Sequence, residues 1–185
     1  MKINTSKNLS SFADLLIVPV FKEDLEKHPK EFPKALSEFL KIRSKNNDFK
    51  AELLETLNTY DIPKLPGQIF CIGLGSKKDI TVKKVLNAAG KAGKFARSHK
   101  KLNIEVLLPD ELQNYLQYFL EGFSFATYDA GKLKKKRTDK SEVKNLTIIT
   151  SANVKDQIER AKIITSSAEL VRDLVNQPAN IITST

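Results

Sequence analysis

Tryptophan is absent from this chain, and cysteine and methionine occur once each. A single cysteine, Cys71, cannot close an internal disulfide. The fold must therefore be held by its core, and 185 residues suffice for one sizeable core without staples. Histidine is nearly as scarce: His28 and His99 stand far apart in lysine-rich surroundings, outside any H-E-x-x-H pattern. Surface histidines are the expectation, not paired metal ligands. No apolar run approaches the ~20 residues of a membrane span, and Met1–Thr5 lacks the apolar core of a secretory signal. With so little cysteine, the expected location is the cytoplasm. G-x-S-x-G and Walker A patterns are missing, which removes the commonest serine-nucleophile and nucleotide signatures. Carboxylates are plentiful but scattered, with no compact acidic group to hold a divalent metal.

What is abundant is lysine. The formal net charge is +9, from 31 Lys and Arg against 22 Asp and Glu. Only Arg43, Arg97, Arg137, Arg160 and Arg172 are arginines. Readers of bases and phosphates favour the forked guanidinium. The densest basic segment runs from Lys132 to Arg137. Its Lys132, Lys134, Lys135, Lys136 and Arg137 form the candidate polyanion-binding site, and a solvated loop is the plain alternative. Phe119 and Phe123 precede it at helical spacing, as core residues would, so no stacking platform accompanies the charge.

Apolar periodicity gives the elements. Leu15–Phe21 reads as a buried strand, with Pro19 expected to leave the ladder near its end, and Ile3 suggests a short strand before it. A helix is expected from about Glu31 to Lys45, with Pro33 in its first turn and Asn46–Asp48 as its stop. Ala51–Tyr60 suits helix by propensity, but its shortness and the proline-rich connection after it leave a strand open. Gln68–Gly75 is the clearest strand, apolar throughout as in a sheet covered on both faces. A helix from about Thr81 carries Val85, Ala89, Ala92, Gly93 and Ala96 on one side. Ile104–Leu108 is a strand, Leu112–Phe123 a helix, and Leu146–Thr150 the last strand. The final helix, capped by Asn153, has a stripe of Val154, Ile158, Ala161, Ile164 or Thr165, Ala168, Val171, Leu174 and Val175. Pro178 stops it. Strands and helices alternate from about residue 68 to 176, which implies an α/β fold with helices on both faces of a parallel or mixed sheet. There is no internal repeat.

Gly73-Leu74-Gly75 between strand and helix raises a phosphate-binding possibility, through backbone N–H groups with Lys77 or Lys78 nearby. The full G-x-G-x-x-G is absent, and a tight turn needing glycine is the simpler reading. Cys71, in mid-strand among apolar neighbours, reads as an inert buried thiol.

Several stretches together resemble a known family. Ala168-Glu169-Leu170-Val171-Arg172-Asp173-Leu174-Val175-Asn176-Gln177-Pro178-Ala179-Asn180 resembles the linker helix and Asn-x-Pro-x-Asn segment of the leucyl (cytosol) aminopeptidases, family M17. Ile69–Gly75, Asn87-Ala88-Ala89-Gly90 and the Glu121-Gly122 to Tyr128 segment resemble the same family in the same order. Residues ahead of Pro66 follow it only in pattern. The resemblance implies a three-layer α/β/α fold with a mixed central sheet, similar to macro domains, plus a C-terminal linker helix. It favours the strand for Ala51–Tyr60. It implies residues 1–152 as an accessory domain and 153–185 as the linker helix and entry to a catalytic domain absent from this chain. That domain would hold two divalent ions, zinc or manganese, and the parent protein would release N-terminal residues, often as a hexamer. Its Asn-Thr-Asp-Ala-Glu-Gly-Arg-Leu motif does not occur in these residues. No catalytic or metal residue carries over, and the expected role here is structural. Alternatives from other classes are a nucleic-acid-binding module on the lysine-rich surface and a binder of ADP-ribose-like phosphates.

Overall fold

The computed structural model describes residues 1–10, 12–27, 29–60, 62–129 and 143–177. Among them six strands form one sheet: β1 (Lys2–Ser6), β2 (Leu15–Val20), β3 (Thr56–Tyr60), β4 (Gln68–Gly73), β5 (Asn103–Leu107) and β6 (Asn145–Ile149). Their order is β1-β6-β5-β2-β4-β3. All neighbours are parallel except β3, which runs antiparallel to β4 at the edge. The uniformly apolar strands β2 and β4 are buried along their whole length, while β1 and β3 at the edges alternate with polar residues. The sequence thus sorts strands into centre and edge by how many faces each can bury.

Four helices complete the layers: α1 (Lys34–Lys45), α2 (Val82–Ser98), α3 (Leu116–Thr127) and α4 (Lys155–Asn176). Successive strand residues point to opposite faces. Leu15, Ile17, Phe70, Ile72, Val106 and Ile148 meet a core with α2, α3 and the start of α4. Leu16, Val18, Ile69, Cys71 and Leu107 meet a second core with Leu36 and Leu40 of α1. The mixed α/β/α architecture expected from the sequence is therefore present, with three helices on one face and one on the other. Close approach of α2 and α3 depends on glycine. A Cβ on Gly122 would lie 2.4 Å from the Leu86 carbonyl oxygen, and one on Gly93 2.7 Å from that of Phe123.

Some boundaries differ from the sequence expectation. The first helix begins at Lys34, because Pro33 is extended (φ −54°, ψ 141°) and serves as its N-cap. Only Thr56–Tyr60 of the Ala51–Tyr60 stretch is strand; Ala51 and Leu54 have positive φ (53° and 64°) and turn the chain instead. Pro19 leaves only one ladder: β2 pairs with β5 through Ile17 but with β4 through Val20. A 3-10 segment, Asp110–Tyr115, precedes α3. Val154, not Asn153, is the N-cap of α4, although Asn153 Oδ1 still accepts from the Lys155 N–H at 3.4 Å. Thr165 rather than Ile164 continues the buried stripe, with Ile164 at 41% exposure.

Candidate functional site

In open α/β sheets, ligands bind beyond the carboxyl ends of the parallel strands. Here the loops after β2, β4 and β5 converge there. Gly73–Gly75 follows β4, and every backbone N–H in it is already used. The Gly73 N–H donates to the Glu55 carbonyl (2.8 Å), Leu74 to Val20 (2.9 Å) and Gly75 to Ala51 (3.0 Å). Gly73 is glycine because the backbone of the 51–55 turn lies against it: an added Cβ would sit 2.0 Å from the Glu52 carbonyl oxygen. Gly75 is needed for its φ of 75°. The glycines thus serve a chain crossing and offer no free cradle to a phosphate.

Acidic side chains occupy the remaining position. Glu23 accepts from Ser76 Oγ at 2.6 Å and from the Lys77 N–H at 3.1 and 3.2 Å. Burial alone would raise its pKa; these hydrogen bonds reverse that and hold the carboxyl below the usual range. Beside it, the Asp24 side chain is fully buried, with Oδ1 2.7 Å from Lys77 Nζ and Oδ2 accepting from the Phe21 N–H at 2.9 Å. Burial pushes Asp24 upward, against the pull of Lys77 and that N–H. Lys77 also pairs with Glu111 and lies 5.5 Å from the centroid of Phe21. Burial would lower its pKa, but the two carboxylates outweigh it and keep the ammonium protonated beyond its usual range. Glu31 is raised by burial and by its neighbour Asp110. A protonated lysine tied to two carboxylates is neither base nor nucleophile, and the surrounding acids repel a phosphate. The knot locks three loops together.

The other sequence candidates are separate from this edge. Lys132, Lys134, Lys135, Lys136 and Arg137 lie outside the described residues, as does His28. His99 caps the end of α2 and stacks on Phe95 at 3.9 Å. Cys71 is wholly buried, and burial pushes its thiol up to about 12, so it is inert at neutral pH. Several lysines near α2 are occupied: Lys91 Nζ donates to the Leu54 carbonyl and Lys84 Nζ to that of Asp79, both at 2.7 Å. Among the described residues no three His, Cys, Asp or Glu side chains come together to hold a metal. These residues do not fit a two-metal centre.

Sequence reasoning missed a clamp on α4. Arg172 donates to the Phe125 carbonyl at 3.2 Å and lies 5.1 and 5.3 Å from the ring centroids of Phe125 and Tyr128. Tyr128 Oη donates to Asp173 Oδ1 at 2.6 Å, and Arg97 holds the Tyr128 carbonyl at 2.8 Å. The clamp fixes the direction of α4 beyond the core. Only the quoted likeness of the Tyr128 and Arg172 stretches hinted at it, since the pairing spans 45 residues. Past the clamp the stripe is open, with Leu174 and Val175 at 47% and 79% exposure, and Val171 just ahead of it is 59% exposed.

Comparison with known proteins places this arrangement. The sequence model of the N-terminal domain of the cytosol aminopeptidase family matches residues 17–137. The chain belongs to the cytosol aminopeptidase family. The "Probable cytosol aminopeptidase" of Clostridium perfringens is 28% identical over 188 residues, covering 94% of this chain and 37% of that protein. The one from Chloroherpeton thalassium is 27% identical over 214 residues, covering the whole chain and 41% of its own length. A tomato leucine aminopeptidase mutant superposes with a TM-score of 0.74 at 22% identity, over 98% of this chain and 39% of that one. That likeness is one of fold. The chain thus spans about two fifths of the length of these proteins. Among the described residues no helix is long and apolar enough to cross a membrane.

Proposed function

We propose that this chain is the non-catalytic, accessory part of a cytoplasmic two-metal leucyl aminopeptidase, with a structural role in assembly and access to the active sites. Residues 1–152 form the accessory domain and 153–185 the connector. The partner is its own C-terminal catalytic domain, which carries both divalent ions, zinc or manganese, and the whole assembles as a homo-oligomer, a hexamer. One observation carries this reading. α4 begins in the core with Val154, Ile158 and Ala161, is clamped by Arg172 and Tyr128, and then presents an apolar, uncovered end. A helix anchored at one end and apolar at the other is suited to transmit a fixed orientation to a neighbouring body.

The test is made on the longer protein. Its sequence beyond Thr185 is expected to contain the Asn-Thr-Asp-Ala-Glu-Gly-Arg segment, and removal of residues 1–152 is expected to leave metal content per subunit unchanged while altering the number of subunits per assembly, read by light scattering. Loss of bound metal together with the accessory domain would overturn the division of labour. The nucleic-acid alternative rests on the lysine excess alone. It predicts binding that weakens steeply with salt, and an anisotropy titration that stays flat at low salt removes it.

A further inference from the structure

The α1 face of the sheet is covered over β2 and β4 but left open toward β1, β6 and β5. On these strands polar residues replace apolar ones at every position of that face near their amino ends. Register sets Asn4, Thr147 and Glu105 in one row and Lys2, Asn145 and Asn103 in the next, with Lys2 at the outer edge. A cavity of about 560 Å³ lies over the rows, with Phe12 at its rim. That volume is within the range of small-molecule sites.

Glu105 forms its floor. The residue is only 5% exposed. Among the described residues its carboxylate accepts from one group, the Ser10 N–H, at 3.0 and 3.1 Å. Among the described residues no lysine or arginine pairs with it, although other carboxylates there do form ion pairs. A carboxylate has about four lone-pair directions, and one buried without a cation is costly. Burial accordingly pushes the Glu105 carboxyl upward. The flanking groups are also acceptors or already oriented: Asn103 Oδ1 takes the Asn145 amide at 2.8 Å, and Thr147 offers its hydroxyl. Phe12 is 88% exposed and offers a ring face to a positive charge.

We propose that this cavity binds a small organic cation, with a guanidinium or primary ammonium head seated on Glu105, Asn4 and Thr147 accepting its remaining N–H groups and Phe12 covering it. The site is independent of the α4 connector and of the assignment to an aminopeptidase. Calorimetric titration of the intact chain with butylguanidinium, butylammonium and neutral butanol tests it and separates the two heads. Saturable one-site binding of at least one cation is expected, with none for butanol. Glu105→Gln keeps an acceptor for the Ser10 N–H, so the loop stays in place, and affinity is expected to fall at least tenfold. Thr147→Val and Phe12→Ala, at sites where folding makes no demand on the group removed, are expected to weaken binding about threefold each and serve if Glu105→Gln does not fold. Absence of heat with both cations would overturn the proposal. So would binding that Glu105→Gln or, failing that, both other variants leave unchanged, since Glu105 would then only anchor Ser10.

Discussion

On one face of the sheet, α2 and α3 are in backbone contact through Gly93 and Gly122, and Phe119 and Phe123 are wholly buried beneath them. On the other, α1 covers the centre alone, and Asn4, Asn103, Asn145 and Thr147 line an open cavity. The same strands supply both faces: the polar residues of β5 (Asn103, Glu105) and β6 (Asn145, Thr147) alternate with the apolar Ile104, Val106, Leu146 and Ile148, which point to the opposite face. One face is packed along its whole width, whereas the other is packed over the centre with α1 and open only over the amino ends of β1, β6 and β5. The carboxyl edge, where an α/β fold would usually bind a ligand, belongs with the closed face: its glycines and ion pairs tie loops together.

The difference can be broken most severely at the closed positions. Gly73→Ala places a Cβ 2.0 Å from backbone, and Gly122→Ala one 2.4 Å from backbone. Each is expected to cost about 3 kcal/mol or more, read as a lowered urea midpoint or failure to fold. Next comes Phe123→Ala, expected to cost about 3–5 kcal/mol for a wholly buried ring. A smaller effect is expected from Glu23→Gln, about 1 kcal/mol at neutral pH through weakened hydrogen bonds to Ser76 and Lys77. Its pH course has a definite sign. Glu23 is held below its ordinary 4.5, so its contribution is present above that value and is lost as pH falls through the lowered one. Asp24 and Glu31 are raised from 3.8 and 4.5, so theirs is full below those values and is lost as pH rises through the raised ones. The urea midpoints of Glu23→Gln and the parent are therefore expected to converge below pH 4.5. Smallest of all, Val175→Ser is expected to change stability by no more than about 0.5 kcal/mol, since the residue is 79% exposed. A loss approaching that of Phe123→Ala would mean the α4 end is packed and would blur the contrast.

Much of this architecture was legible in the sequence. The apolar runs at Leu15–Val20 and Gln68–Gly73 marked central strands, and the small residues from Ala88 to Ala96 marked a tightly packed helix. Local pattern failed where distant contacts decide. Ala51 and Leu54 adopt positive φ because their turn crosses Gly73, which no window around residue 51 reveals. Asp24 and Lys77 are 53 residues apart and read as scattered surface charges until the loops after β2 and β4 meet. The open polar rows were visible as alternation in Asn103–Leu107 and Asn145–Ile149, but only register aligns them into a site. Choosing Thr165 over Ile164 required knowing where α4 meets α3.

In the function proposed above, the chain supplies structure and connection while the family's peptidase chemistry resides elsewhere. The most direct measurement is release of nitroaniline from leucyl-p-nitroanilide by the intact chain with zinc or manganese in excess. No turnover above the metal-only blank is expected. Saturable hydrolysis abolished by a chelator would contradict the account.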